Sequence, residues 1–197
     1  PNRGVVAPGD FIAAIEDYGL MDTLTWIILN KSAMICRAWR EQDLALTVSV
    51  NLSQTSLSRL GLAERIHAVV ANQGILPSDI VLEITESAAM TDIGSSLENL
   101  SRLRLRGFGL SIDDFGTGYS SAQQLTRIPF SELKIDRSFV QHSDQESTRV
   151  ILESTLSVAH SLGIKVTAEG VETLENWEML RELGCDIAQG YLIAKPM

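Results

Sequence analysis

The chain has 197 residues, 45% hydrophobic and 21% charged, a composition that suits a globular domain with a sizeable core rather than a disordered or fibrous chain. Its formal net charge of −9 and its lack of a basic face exclude a duplex-DNA binder that works through phosphate contacts. No apolar run reaches the roughly 18 residues needed to cross a bilayer.

The chain opens on Pro1-Asn2-Arg3-Gly4, which reads as a turn already under way. The longest apolar run surrounds Trp26-Ile27-Ile28-Leu29, between Asp22 and Lys31. Trp26 and Trp39 are expected to fill helix–barrel contacts. Runs with strand character fall at 46–51, 80–85, 110–114, 132–136, 164–168 and 187–193. Between them the spacing predicts amphipathic helices. Their expected apolar stripes are Leu62, Ile66, Val69 and Val70; then Ile93, Leu97 and Leu100; then Ile151, Thr155, Val158 and Leu162; and finally Leu174, Trp177, Leu180 and Leu183. Gly107, Gly163 and Gly184 follow the last three patterns as C-terminal stops. Arg102, Arg104 and Arg106 form the densest basic cluster, at a helix end where they complement the dipole. Cys36 and Cys185 are too few and too isolated for a disulfide framework or a zinc site, and read as free thiols of a reducing cytoplasm. His67, His142 and His160 lack ligand spacing.

Repeated β-α units imply parallel strands with helices packed outside, in one domain over residues 1–197. An open doubly wound sheet predicts a Gly-rich phosphate loop after an early strand, and none is present. A closed barrel predicts polar groups at the C-terminal ends of several strands, and the sequence has them. The expected fold class is therefore α/β, a modified (β/α)8 TIM-like barrel. Six strands are counted where a barrel needs eight, so about two N-terminal strands are expected to be missing from this chain.

Five successive strand ends carry acidic or amide groups: Asn51, Glu83, the pair Asp113-Asp114, Lys134 with Asp136, and Glu169 with Glu172. Gln189 follows the last strand. Glu83 lies between Leu82 and Ile84, and Lys134 between Leu133 and Ile135, so strand alternation points both charges away from the helix layer and toward the axis. Carboxylates gathered at one mouth repel unless protons or cations neutralise them. Oxygen-only donors suit hard ions such as Mg²⁺, Mn²⁺ or Ca²⁺ rather than zinc, and a two-metal site is a familiar device for phosphoester hydrolysis. Taken singly, an Asp-Asp before Gly is more often a solvated turn, and Lys134 a surface charge. Repetition outweighs those readings, yet it reaches only a divalent-metal barrel enzyme. An enolising enzyme with a Lys base fits as well.

The motifs Asn51-Leu52-Ser53, Leu82-Glu83-Ile84-Thr85-Glu86, Asp113-Asp114-Phe115-Gly116-Thr117-Gly118, Leu133-Lys134-Ile135-Asp136, Ala168-Glu169-Gly170-Val171-Glu172 and Gln189-Gly190-Tyr191-Leu192 occur in this order along the chain. Together they resemble the successive signatures of the EAL phosphodiesterase domain. The resemblance implies a barrel that hydrolyses cyclic di-GMP to linear pGpG with two Mg²⁺ or Mn²⁺ ions. It implies Asn51, Glu83, Asp113 and Asp114 as metal ligands, Asp113 bridging. Glu169 is similar to the proposed general base and a further ligand, and Lys134 is expected to position water or steady the phosphate. Gln189, Glu172 and Asp136 are expected to touch substrate, and Glu86 to anchor the loop 115–121. A homodimer is expected, with a sensory, receiver or GGDEF domain elsewhere in a parent protein that is cytoplasmic or membrane-anchored. The Glu-Ala-Leu motif that names the family is absent from this sequence and is expected in the missing upstream strands. A non-hydrolytic cyclic di-GMP receptor is the alternative, and a chain without those strands is expected to be weakly active or inactive.

Overall fold

The computed structural model describes residues 4, 6–91, 93–116 and 125–195. Its six strands are β1 (Val48–Asn51), β2 (Ile80–Thr85), β3 (Gly109–Phe115), β4 (Glu132–Ile135), β5 (Lys165–Ala168) and β6 (Ile187–Ala188). They pair in sequence order, every neighbour parallel, as one sheet curled into a half-barrel. Parallel neighbours need crossover connections, and helices supply them. After the short α1 (Ile12–Asp17), the described helices are α2 (Met21–Arg40), α3 (Gln54–Leu57), α4 (Leu62–Asn72), α5 (Glu86–Thr91), α6 (Ile93–Leu105), α7 (Arg137–Gln141), α8 (Glu146–Ser161) and α9 (Leu174–Glu182). None of them is long and apolar enough to cross a membrane.

The core lies between sheet and helices. Leu82 and Ile84 of β2, Leu110 and Ile112 of β3, and Leu133 and Ile135 of β4 are buried on the helix side. They meet Leu29 and Ala33 of α2, Ile66 and Val70 of α4, Leu100 and Leu103 of α6, and Leu152 and Leu156 of α8. Trp26 and Trp39 are half-buried against this core. Fully burying an aliphatic side chain of this size stabilises by about 1.5–3 kcal/mol, so the strand alternation carries much of the fold. The basic cluster at the end of α6 is paired: Arg102 and Arg106 both reach Glu64. At the entry to β2, Asp79 is buried and paired with Arg40, and it also accepts the Leu76 N–H at 2.9 Å. The hydrogen bond from Arg40 holds its carboxyl below the usual aspartate range, against the opposing effect of burial.

Three expectations are corrected. The stripe on α8 is displaced by one residue: Leu152, Leu156 and Ala159 are buried, whereas Ile151 and Leu162 are 45% and 40% exposed. Both lines obey helical spacing, so periodicity alone could not choose between them. On α9 only Leu180 of the expected four is fully buried; Leu183 packs partly buried against the core, and Leu174 and Trp177 are 59% and 39% exposed. The last strand stops at Ala188 rather than continuing to 193. Beyond it the Val171 N–H donates to the Gln189 carbonyl, and the Ile193 and Ala194 N–H groups turn back onto the Gly190 carbonyl. These bonds replace a strand ladder.

Candidate active site

All six strands run the same way, so their C-terminal ends share one rim of the half-barrel. Asn51 closes β1, Glu83 lies near the end of β2, and Asp113 and Asp114 near the end of β3. Lys134 is the third residue of β4, and Glu169 and Gln189 directly follow β5 and β6. The structure brings three of these side chains together around the Lys134 ammonium. Lys134 Nζ lies 2.5 Å from Glu169 Oε1, 3.0 Å from Glu83 Oε1 and 3.4 Å from Asp113 Oδ1. Glu83 and Lys134 are buried, both on the axis side that alternation predicts.

Adjacent residues in a regular strand face opposite ways, which would send one of Asp113 and Asp114 into the helix layer. The ladder shows how this is avoided. Ile112 pairs with Leu133 and Phe115 with Ile135, so Asp113 and Asp114 together oppose the single residue Lys134. This is a β-bulge, a device that re-aims side chains beside functional sites. Asp114 takes a left-handed backbone with φ of 55°, a region in which aspartate is among the better-tolerated side chains. Asp113 reaches the Lys134 ammonium from this bulge, and Asp114 lies close enough to feel the charges of Asp113 and Lys134.

The electrostatics follow from crowding. Burial works against the charge on Lys134, but the hydrogen bond to Glu169 and the fields of Glu83 and Asp113 outweigh it and raise its pKa. Burial pushes the Glu169 carboxyl up, opposed by Lys134 and reinforced by Asp113 and Glu83. Asp114 is also pushed up, by desolvation and then by Asp113, Asp136 and Glu86, with Lys134 opposing.

The remaining expected residues have visible local partners. Glu86 Oε2 accepts the Gly116 N–H at 3.1 Å, at the start of the loop it was expected to anchor. That loop lies outside the described residues from 117 to 124. Asp136 caps α7, accepting from the Ser138 N–H and hydroxyl. Glu172 accepts from Gln141 Nε2 at 3.1 Å and is exposed. Asn51 is exposed beside Glu83 in the β1–β2 register, and Gln189 is exposed above β6. Gly190 fixes Gln189 against the segment after β5, since a Cβ there would lie 2.2 Å from the Val171 carbonyl oxygen.

Sequence reasoning missed a second polar layer beneath the rim. Glu132 Oε1 accepts from Thr167 Oγ1 at 2.6 Å, and the fully buried Ser111 hydroxyl has no partner among the described residues. The signal was present: Ser111, Glu132 and Thr167 each stand two residues before a rim residue, on the same strand face.

The rim donors are all oxygen, from Asn51, Glu83, Asp113, Asp114 and Glu169, and their chemistry fits a hard divalent ion rather than zinc. Among the described residues, no three acidic, His or Cys groups are already gathered to hold a metal. The carboxylates are arranged around the Lys134 ammonium instead.

A sequence profile of the EAL domain matches residues 1–196. The chain is 40% identical over 198 residues to the cyclic di-GMP phosphodiesterase RocR of Pseudomonas aeruginosa, covering all of this chain and 50% of that protein. It is 38% identical over 199 residues to the bifunctional diguanylate cyclase/cyclic di-GMP phosphodiesterase MucR of the same organism, again over the whole chain but over 29% of that protein. The chain thus spans half or less of the length of these curated relatives. Among solved structures, the PaMucR phosphodiesterase in complex with c-di-GMP superposes with a TM-score of 0.94 at 38% identity, over 100% of this chain and 81% of that one. The FimX EAL domain, at 23% identity and a TM-score of 0.92, shares the fold.

Proposed function

This chain belongs to the EAL domain family, and from that membership we propose that it supplies the catalytic domain of a cyclic di-GMP phosphodiesterase that releases linear pGpG. The observation that carries the proposal is the bulged Asp113-Asp114 pair facing Lys134, with Glu83 and Glu169 on the same ammonium. This constellation has the parts that phosphodiester hydrolysis requires. Asn51, Glu83, Asp113, Asp114 and Glu169 are the residues proposed to hold two Mg²⁺ or Mn²⁺ ions. Bound there, such ions would neutralise the phosphate and acidify water. Glu169, its carboxyl raised by burial, takes the proton of the attacking water as general base. Lys134 steadies the charge that develops on the phosphate oxygens. Gln189, Glu172 and Asp136 border the substrate, and Glu86 holds the backbone of the loop that begins at Gly116. A homodimer and a separate sensory, receiver or GGDEF domain in the parent protein belong to the same proposal, as does a cytoplasmic location.

The test is chromatography of cyclic di-GMP incubated with the parent protein, upstream strands included, and Mg²⁺ or Mn²⁺. Linear pGpG that vanishes with EDTA is the expected result. Binding of cyclic di-GMP without any product in either metal would mark a receptor and overturn the proposal.

A further inference from the structure

We infer that the Lys134 ammonium is a built-in counter-cation of the carboxylate cluster and competes with divalent metal for it, so that this side chain sets the metal affinity of the site. The inference rests on the metal reading proposed above. An ammonium offers three donors and accepts nothing. Here its carboxylate partners come from three different segments: Glu83 on β2, Asp113 on β3 and Glu169 after β5. The Lys134 side chain is 8% exposed, so little water can take the place of those partners. Leu133 and Ile135 are buried on the opposite face of β4 and hold the lysine stem toward the axis. The ion pairs of the described arginines lie elsewhere, with Glu41, Asp79, Asp22, Glu64, Glu98 and Glu153. Among the described residues, Lys134 is therefore the cation paired with this cluster.

Two consequences follow from one positive charge shared by three carboxylates. The cluster stays under-neutralised, so it still attracts a cation. Yet an entering divalent ion meets a fixed positive charge within ion-pair distance of its own ligands, which lowers its affinity. Removing the ammonium while keeping the shape of the side chain should thus tighten metal binding and weaken the fold without metal. A lysine that acted only on substrate would change neither quantity. One that only tied strands together would change the fold alone.

The experiment is calorimetric titration of Mn²⁺ into the protein and its Lys134→Met variant at one pH, with thermal midpoints taken in EDTA. The expected result is Mn²⁺ binding at least tenfold tighter in the variant, together with a lower midpoint in EDTA that Mn²⁺ restores. Equal or weaker binding by a folded variant overturns the inference and leaves the metal reading standing. Absence of Mn²⁺ binding in both proteins removes the metal reading and the inference with it. If the variant does not fold, the unsubstituted protein answers through the ¹⁵N resonance of its Lys134 ammonium. That signal is expected to shift as Mg²⁺ saturates the site, and an unchanged signal overturns the inference.

Discussion

Glu169 and Lys134 are 2.5 Å apart, yet the surroundings act on them in different ways. Burial discourages charge on both, and the ammonium resists it better because three carboxylates face it. For a general base this matters directly, since only the deprotonated carboxylate can accept a proton. A carboxyl raised above the ordinary glutamate value of about 4.3 is still protonated where a free glutamate has already ionised. In the metal-free protein the Glu169 carboxyl should therefore ionise above that pH, read by NMR titration in EDTA. Glu169→Gln should remove that titration and, in the metal-loaded enzyme, lower kcat by about 10²–10⁴-fold, the usual contribution of a general base, with an unchanged circular dichroism spectrum. A metal-free carboxyl that ionises at or below the free value would show that the cluster does not raise it, and a fully active Gln variant would place the base elsewhere. Sequence alone placed Glu83 and Lys134 on the axis side, because alternation between buried aliphatics fixes that face. It could not show that Asp113 and Asp114 together oppose Lys134, because a bulge appears only in the register with β4.

The elements carrying these residues differ in how well the sequence specifies them. β2 was legible to the residue: Ile80–Thr85 is rich in β-branched residues and buried over most of its length. β6 was not, because Ile187 to Ile193 reads as one apolar run while the chain leaves the ladder after Ala188. What bends it is a non-local contact, the backbone of Val171 against Gly190. The phase of α8 was hidden for a related reason, as two overlapping stripes are both apolar and only the packing against β5 selects one. The Gly190 contact gives a prediction at this scale. Gly190→Ala places a methyl 2.2 Å from the Val171 oxygen, and relief requires the segments holding Glu169, Glu172 and Gln189 to separate. The expected cost is about 1–3 kcal/mol, as for other overpacked sites, read as a lower urea midpoint. A larger loss in kcat/KM than in stability should accompany it. An unchanged midpoint would mean that this contact yields freely.

At the scale of the whole molecule, alternating β and α patterns with polar strand ends sufficed for the parallel α/β architecture. The curl of the sheet and its polar second layer arise from contacts between strands, which no single strand's pattern encodes. The half-barrel leaves β1 and β6 as edge strands. Apolar side chains stand exposed near both edges: Ile27, Ile28, Met34 and Ile35 on α2, and Ile187, Leu192 and Ile193 at the other side. Unpaired edges with exposed apolar neighbours promote association. Expressed as these 197 residues, the chain should show a concentration-dependent mass by light scattering. A constant monomeric mass up to high concentration would show that the edges are masked. The bulge at Asp113-Asp114 has a consequence at this scale too. A left-handed non-glycine residue stores about 1–2 kcal/mol of backbone strain, and here that strain keeps an added residue in register opposite Lys134. Relaxing it into regular strand would slip the following chain by one residue and turn one carboxylate from the rim to the outside. The charge at the mouth of the barrel is thus a stepwise quantity, tied to whether the backbone keeps two residues or one opposite Lys134.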